Sequence, residues 1–338
     1  MYEDIISLPN LFTAWEEFLC GKRKRKDVLE FSMKLSEEIF TLHIELKEKT
    51  YQHSPYTAFN ISDPKPRNIH KAPVRDRLLH HAIYRVLYPM FDKKFIYDSY
   101  SCRLGKGTHK AINRFRMFCL KESNNHTRSV WILKCDIRKF FATIDHRVLK
   151  SILEKHIADT DTLWLLSQVI DSFNSIYAMA YMRKVGFPLG NLTSQLLVNV
   201  HMNEFDQFVK HVLKHKYCIQ YADDFVILSH DKKQLEDALP IVSKFLKDEL
   251  ILDLHPNKVS IATLSSSVDF LGWVHFVDHR VLRTTTKKRM MKKISMNAQN
   301  QNVTNSYLGL LKHGNGYKLA KQIQTIVSKN NEKSYSNH

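Results

Sequence analysis

The sequence lacks the cysteine pattern of a disulfide-bonded or zinc-binding protein. Its five cysteines are scattered, odd in number and never form a Cys-x-x-Cys pair: Cys20, Cys102, Cys119, Cys135 and Cys218. This usage indicates neither a disulfide framework nor a zinc site, and it is typical of proteins in a reducing compartment. We therefore expect a cytoplasmic protein.

Long hydrophobic runs are also missing. No apolar run approaches the roughly 20 residues that a membrane-spanning helix needs, and residues 1–10 lack the basic-then-apolar pattern of a signal peptide. A P-loop is absent too, because Gly105-Lys106-Gly107-Thr108 does not have its spacing; Thr108 is predicted to N-cap a helix instead. The 338 residues, 43% of them hydrophobic, predict a globular protein with two or three subdomains and no membrane partner.

Acidic residues are few relative to basic ones. The chain has 51 Lys and Arg against 34 Asp and Glu, a formal net charge of +17. A surplus of this size favours a polyanionic partner, most simply nucleic acid, because phosphate neutralisation releases condensed counterions. A basic protein without such a partner is the alternative.

Two adjacent carboxylates are the most informative feature. The tetrapeptide Tyr221-Ala222-Asp223-Asp224 separates two short runs rich in β-branched and aromatic residues, which predicts a β-hairpin. Asp is depleted from strands and costly to desolvate, so the pair needs a reason. Mg2+ binding is one reason, because this ion takes oxygen ligands and is completed by substrate phosphates; an ordinary Asp-rich turn is the other.

A second acidic position ends an apolar strand predicted from Val130 onward. Asp136 would supply a third arm for a metal site, and the carbonyl of Ile137 a further ligand. Adjacent strands would bring Asp136 to Asp223 and Asp224, and two Mg2+ ions, with Mn2+ as an alternative, would relieve the repulsion among the three carboxylates. Asp145, by contrast, is predicted to N-cap a helix.

Two loops complete the set of candidate features. Residues 55–77 are rich in proline and basic residues, and an Arg on a strand there would clamp a triphosphate; a basic surface hairpin is the alternative. In Gly186-Phe187-Pro188-Leu189-Gly190, the last glycine would allow another group to approach the backbone of a helix start. A plain capped turn is again the alternative.

Together these motifs resemble the reverse transcriptases, and most closely those of diversity-generating retroelements. The resemblance implies an α+β right-hand polymerase fold with fingers, a palm made of an antiparallel sheet plus helices, and a small helical thumb. The predicted divisions are an N-terminal helical extension at 1–54, fingers and palm at 55–283, and a basic helical thumb at 284–338.

The resemblance also implies roles for individual residues. Asp136, Asp223 and Asp224 would hold two Mg2+ ions, together with the Ile137 carbonyl. Phe141 would be the aromatic gate against a ribose 2'-hydroxyl, and Lys258 would protonate the departing pyrophosphate. The remaining predicted contacts to dNTP are Lys65, Arg67, Leu189, Gly190 and Gln195, and those to the template and primer backbone are Lys287, Lys288, Arg289, Lys292 and Lys293.

The subfamily prediction depends on Leu189 and Gln195. Group II intron and retron-like enzymes usually have Gln-Gly and Ser-Pro at the corresponding places, whereas this chain resembles the diversity-generating enzymes. That resemblance implies a prokaryotic or phage-encoded enzyme that copies template adenines with errors. Its partners would be template RNA, a cDNA primer–template duplex, dNTPs and a small basic accessory protein. A retron or phage-defence reverse transcriptase is the alternative. A non-catalytic RNA-binding protein is disfavoured because all three acidic positions are present.

Overall fold

The computed structural model describes residues 1–62, 66–297 and 299–335, with the side chains of 180, 181 and 329–335 excepted. Four helices open the chain: α1 (Tyr2–Ile6), α2 (Leu8–Leu19), α3 (Lys26–Met33) and α4 (Leu35–Lys47). This confirms the helical prediction for this region. Their buried side chains, such as Leu11, Trp15 and Ile39, join the same hydrophobic cluster as the central sheet.

An exposed hairpin and two helices follow. The hairpin consists of β1 (Thr57–Ile61) and β2 (Arg67–Lys71), which pair antiparallel, and the helices are α5 (Val74–Asp92) and α6 (Thr108–Glu122). The prediction that Thr108 N-caps α6 is wrong by one residue. Gly107 is the N-cap at φ 111°, and Thr108 is the first helical residue, with its Oγ1 donating to the Tyr221 hydroxyl at 2.9 Å.

The centre of the protein is a four-stranded antiparallel sheet in the order β4-β5-β3-β6. Its strands are β3 (Trp131–Asp136), β4 (Cys218–Tyr221), β5 (Asp224–Ser229) and β6 (Ser260–Thr263). In the β3–β5 register Asp136 lies opposite Asp224. The expectation that Asp136 and the acidic hairpin occupy adjacent strands is confirmed.

Six helices lie between β3 and β6 in the chain: α7 (Phe140–Thr143), α8 (His146–His156), α9 (Thr160–Asp171), α10 (Ala178–Tyr181), α11 (Leu192–Gln207) and α12 (Lys232–Glu249). A π-helical turn, Phe208–Val212, extends α11. Asp145 N-caps α8, as predicted, by accepting from the backbone N–H groups of Arg147 and Val148. Helix α11 is buried almost all round, so its polar residues His201 and Asp206 are buried as well.

The C-terminal part has its own hydrophobic cluster. A three-stranded sheet, β7 (Val268–Phe270), β8 (Trp273–His275) and β9 (Arg280–Leu282), precedes α13 (Thr284–Met296), α14 (Gln301–Leu311) and α15 (Tyr317–Tyr335). Trp273 and Leu282 pack with Met290, Ile294 and Leu311. Within the described ranges no helix is both long and apolar enough to cross a bilayer.

Acidification is predicted to destabilise the protein through His201. Burial lowers the pKa of this side chain from 6.5 to about 4, so the unfolded chain gains a proton before the folded chain does. The stabilisation is complete above the unfolded pKa and is lost as pH falls toward the folded pKa. From about pH 7 to about pH 5 the loss is about 2 kcal/mol.

Urea unfolding at both pH values tests this expectation. His201→Leu should lose about 2 kcal/mol less unfolding free energy on acidification than the wild type. The control is His211→Leu, which alters an exposed histidine and should keep the wild-type pH dependence. Equal pH dependence in all three proteins would contradict the role of His201.

Candidate active site

The acidic hairpin turns within two residues. Tyr221 pairs with Asp224, so Ala222 and Asp223 form the turn between β4 and β5. Ala222 adopts φ 54°, in the left-handed region that non-glycine residues rarely enter. Strain of this kind persists where the surroundings over-determine the backbone, and it is concentrated at functional sites.

A buried glutamine holds this turn in place. The Gln220 side-chain N–H donates to the Ala222 carbonyl at 2.7 Å, and its carbonyl oxygen accepts from the Ser99 hydroxyl at 2.8 Å. Only 2% of Gln220 is exposed. The sequence analysis missed this residue, although a polar side chain within the apolar strand Cys218–Tyr221 was a signal that could have identified it.

Backbone hydrogen bonds attach the end of β3 to the hairpin. The Ile137 N–H donates to the Asp223 carbonyl at 2.9 Å, and the His255 N–H donates to the Asp136 carbonyl at 2.8 Å. With Asp136 opposite Asp224, this arrangement holds the ends of β3 and β5 and the turn together. The structure therefore brings the three predicted acidic residues to one end of the sheet.

Burial and neighbouring carboxylates raise the pKa of Asp223 and of Asp224. Burial raises the pKa of Asp224 to about 6, and the charges of Asp223 and Asp136 add to the effect. Burial also raises the pKa of Asp223, again with a contribution from Asp136. Negative charge is thus crowded into a poorly hydrated place, where a cation would stabilise the ionised forms.

Lys258 is a cation in contact with one of these carboxylates, that of Asp136. Its ammonium donates to both carboxylate oxygens of Asp136, at 3.0 and 2.9 Å. A turn in which the Lys258 N–H donates to the His255 carbonyl at 3.0 Å brings Lys258 to the site. No role in proton transfer follows from this contact alone.

The chemistry of the donor set fits divalent metal. Carboxylate oxygens are the ligands that Mg2+ prefers. The pKa values of Asp223 and Asp224 are raised, so a bound cation would stabilise their ionised forms. In the ranges that the structure describes, no three acidic, His or Cys side chains converge closely enough to hold one ion. Because Lys258 lies on Asp136, its ammonium would have to move before this carboxylate could bind metal. Coordination by the Ile137 carbonyl stays a prediction.

The 186–195 loop lies beside the β1–β2 hairpin. Gly190 has φ 106°, and a Cβ there would lie 3.4 Å from Ile69 Cγ2, so β2 supplies the closely approaching group. Gly190 and Gln195 line a cavity of about 400 Å³ together with Ile69 and the basic residues Lys22 and Lys71. The sequence analysis did not foresee that the N-terminal helices contribute to this cavity.

Phe141 is joined to the same loop. Its carbonyl accepts from the Phe187 N–H at 2.6 Å, and its ring packs edge-on against Phe140 with 5.6 Å between centroids. The segment after Asp136 and the segment that carries Leu189 therefore have a fixed relative position. Leu189, two residues after Phe187, is half-buried.

The remaining predicted contacts lie on two basic elements. Arg67 begins β2 and is close enough to Asp223 for its charge to lower the pKa of that carboxyl, whereas Lys65 lies outside the described residues. Helix α13 buries Met290 and Ile294. Its other face exposes the five predicted nucleic-acid contacts, Lys287, Lys288, Arg289, Lys292 and Lys293.

An antiparallel sheet with acidic residues at one end, flanked by helices and a basic hairpin, defines a polymerase-type fold. Residues 61–275, more than half of the chain, match the family described as reverse transcriptase (RNA-dependent DNA polymerase). The chain belongs to this family of RNA-directed DNA polymerases.

Individual proteins agree with this assignment. Protein YkfC of Escherichia coli (strain K12) is 26% identical over 297 residues, which cover 78% of this chain and 76% of YkfC. Group II intron-encoded protein LtrA of Lactococcus lactis subsp. cremoris is 23% identical over 260 residues, which cover 72% of this chain and 41% of LtrA.

A solved structure supports the fold. Telomerase from Candida albicans, in complex with a fragment of telomeric RNA, matches with a TM-score of 0.53 and 13% identity, over 82% of this chain and 55% of that chain. The predicted α+β polymerase fold class is thereby confirmed. The chain spans less than two thirds of both LtrA and the telomerase chain.

The Gln220 contacts generate a stability prediction. Gln220→Met keeps the volume of the side chain but leaves the Ala222 carbonyl and the Ser99 hydroxyl without their partner, which should cost about 1–3 kcal/mol. Urea unfolding measures the loss. The matched control is Gln207→Met, because Gln207 donates to the Lys94 carbonyl at the surface, where water can replace it. Equal losses in the two variants would argue against a special role for Gln220.

Proposed function

We propose that this protein is an RNA-directed DNA polymerase that makes cDNA from a template RNA by two-metal nucleotidyl transfer. The observation that carries the proposal is the placement of Asp136 opposite Asp224, with Asp223 in the adjoining turn. Family membership supports the reaction class, and the net charge of +17 suits a protein that holds template RNA and a primer–template duplex.

The three carboxylates would hold the divalent ions, with the Ile137 carbonyl as a further ligand. When bound, two Mg2+ ions, or Mn2+ in their place, would activate the primer 3'-hydroxyl and stabilise charge on the transferred phosphate and on pyrophosphate. The fixed β3–β5 register then has a chemical purpose, because it sets the relative positions of the ligands before substrate arrives.

The surrounding side chains would position the dNTP. Arg67 would bind the triphosphate as a planar, bidentate donor, with Lys65 as a second cation. Phe141 would exclude a ribose 2'-hydroxyl, since its backbone is tied to the loop that carries Leu189. Gly190 and Gln195 would border the nucleotide from the cavity that they share with β2.

Lys258 would protonate the departing pyrophosphate. Its ammonium lies 2.9 Å from an Asp136 carboxylate oxygen, so it reaches the end of the sheet where the leaving group forms. From this position its ammonium would donate a proton to the leaving pyrophosphate. The basic face of α13 would follow the template and primer backbone without reading sequence.

We further propose that the enzyme belongs to a diversity-generating retroelement and copies template adenines unfaithfully in mutagenic retrohoming. Leu189 and Gln195 support this subtype, because an apolar side chain replaces a polar one beside the incoming nucleotide. A small basic accessory protein would be its partner. The predicted division into an extension at 1–54, fingers and palm at 55–283 and a thumb at 284–338 is part of this proposal.

A reverse transcriptase of the retron, phage-defence or intron type is the second candidate. The similarity to a group II intron-encoded protein favours it. Genomic context separates the candidates: a repeat pair that differs mainly at adenines, next to an accessory gene, would favour the diversity-generating enzyme.

Loss of one carboxylate tests the reaction. Asp223→Asn should lower Mg2+-dependent dNTP incorporation on a primed RNA template on the order of a hundredfold or more, because the site loses a charged ligand. RNA binding, measured by filter retention, should stay near the wild-type value. The control is Asp237→Asn, an exposed carboxylate on α12. Wild-type synthesis by the Asp223 variant would refute the metal assignment.

The subtype has its own test. Leu189→Gln should lower misincorporation opposite template adenines, because a polar side chain restores selection of the incoming nucleotide. Sequencing of primer-extension products gives the error spectrum, and errors opposite template cytosines serve as the internal control. An unchanged spectrum would refute the role of Leu189.

A further inference from the structure

A second cavity lies close to the strand end that carries Asp136. Its volume is about 250 Å³, and it shares no lining residue with the cavity beside Gly190. The segment after β3, the segment before Val185 and the end of α12 with the loop that follows it form its walls. The polar side chains that line it are Arg138, Lys139, Thr143, Arg183, Lys247 and Asp253.

Backbone contacts connect this cavity to the catalytic strands. The Arg138 N–H donates to the Asp253 carbonyl at 2.8 Å. The preceding residue, Ile137, donates its own N–H to the Asp223 carbonyl. The wall of the cavity therefore begins two residues beyond Asp136. A group released at the end of the sheet would have only a short distance to travel.

Positive charge dominates the lining. The lining contains four cationic side chains and one carboxylate, that of Asp253. Arg183 is 3.0 Å from the buried Asp145, and the Lys139 ammonium lies 4.0 Å from the centre of the Tyr177 ring, so both have defined positions. Even with Asp145 included, four cations stand against two carboxylates. Arg138, Lys139 and Lys247 are exposed, but cations that converge on one concave site attract anions more strongly than scattered surface charges do.

We propose that this cavity is a polyphosphate-binding site whose ligand is the pyrophosphate released by the polymerase reaction. Arginine and lysine donors suit phosphate oxygens, and the volume holds two linked phosphate groups. Within the described part of the chain, no aromatic ring lines the cavity, so a whole nucleotide would lack a surface for its base. The inference deepens the proposed function and depends on it for the source of the ligand.

A site beside the catalytic carboxylates would separate the formation of pyrophosphate from its release to solvent. Pyrophosphate that moves into the cavity vacates the end of the sheet for the next triphosphate. Pyrophosphate kept there in high local concentration would also supply the reverse reaction. In that reaction an oxygen of pyrophosphate attacks the phosphorus of the last primer nucleotide, and the bond from this phosphorus to the preceding 3'-oxygen breaks. A dNTP is released, and the shortened primer regains a protonated 3'-hydroxyl. The occupancy of this cavity thus sets the balance between extension and its reversal.

Direct binding tests the site without any catalysis. Inorganic pyrophosphate is titrated calorimetrically into the full-length chain at low salt, with chelator present. Lys247→Glu should raise the dissociation constant on the order of tenfold, because a cation of the cavity becomes an anion. The matched control is Lys244→Glu, which makes the same change on an exposed residue of α12 outside the cavity and should bind as the wild type does. Thermal unfolding verifies that both variants fold.

Equal affinity in the three proteins would overturn the proposal. Because the titration needs no turnover, it stays informative if primer extension fails, and failure of primer extension would refute the proposed function alone.

Primer extension then distinguishes the two sources of a polyphosphate group. Pyrophosphate as the ligand predicts that the Lys247 variant raises the inhibition constant for pyrophosphate on the order of tenfold, while the KM for dNTP changes little. A raised KM with unchanged pyrophosphate inhibition would assign the cavity to the incoming triphosphate and overturn the assignment to the product.

Discussion

The pairing of β3 with β5 is the constraint on which the site depends. It places Asp136 opposite Asp224, although 87 residues separate the two in the sequence. A slip of one residue in an antiparallel pair would turn every side chain of one strand to the other face. The apolar side chains of β3 and β5, such as Leu133 and Ile227, are buried, so their burial sets the register that the carboxylates need.

This arrangement is electrostatically costly for the isolated protein. Three carboxylates are held at a poorly hydrated end of the sheet, and burial raises the pKa of Asp223 and Asp224. Lys258 and Arg67 offset part of the repulsion, and Arg138, a cation that lines the second cavity, lies two residues beyond Asp136. Excess negative charge of this kind favours a bound cation, because a cation would complete a charge distribution that the protein leaves incomplete.

Much of this site could be predicted from the sequence because its signals are local. The hairpin at Asp223, the strand ending at Asp136 and the N-cap at Asp145 each follow from short patterns of residues. The Gln220–Ser99 hydrogen bond could not be predicted, because it joins residues 121 positions apart. The predicted N-cap of α6 was wrong by one residue because both Gly107 and Thr108 suit a helix start. The N-cap position has φ 111°, which glycine adopts without strain.

The role of the N-terminal helices shows a further limit of composition-based reasoning. Their residues read as a separate helical extension, yet Asp27 of α3 forms ion pairs with Lys71 of β2 and with Arg77 of α5. Lys22 and Arg25, in the loop before α3, line the same cavity as Gly190. The helices therefore support the β1–β2 hairpin, and the loop before α3 supplies cations beside Gly190. A change in α3 would alter the position of β2, and through β2 the surroundings of Gly190, without touching any catalytic carboxylate.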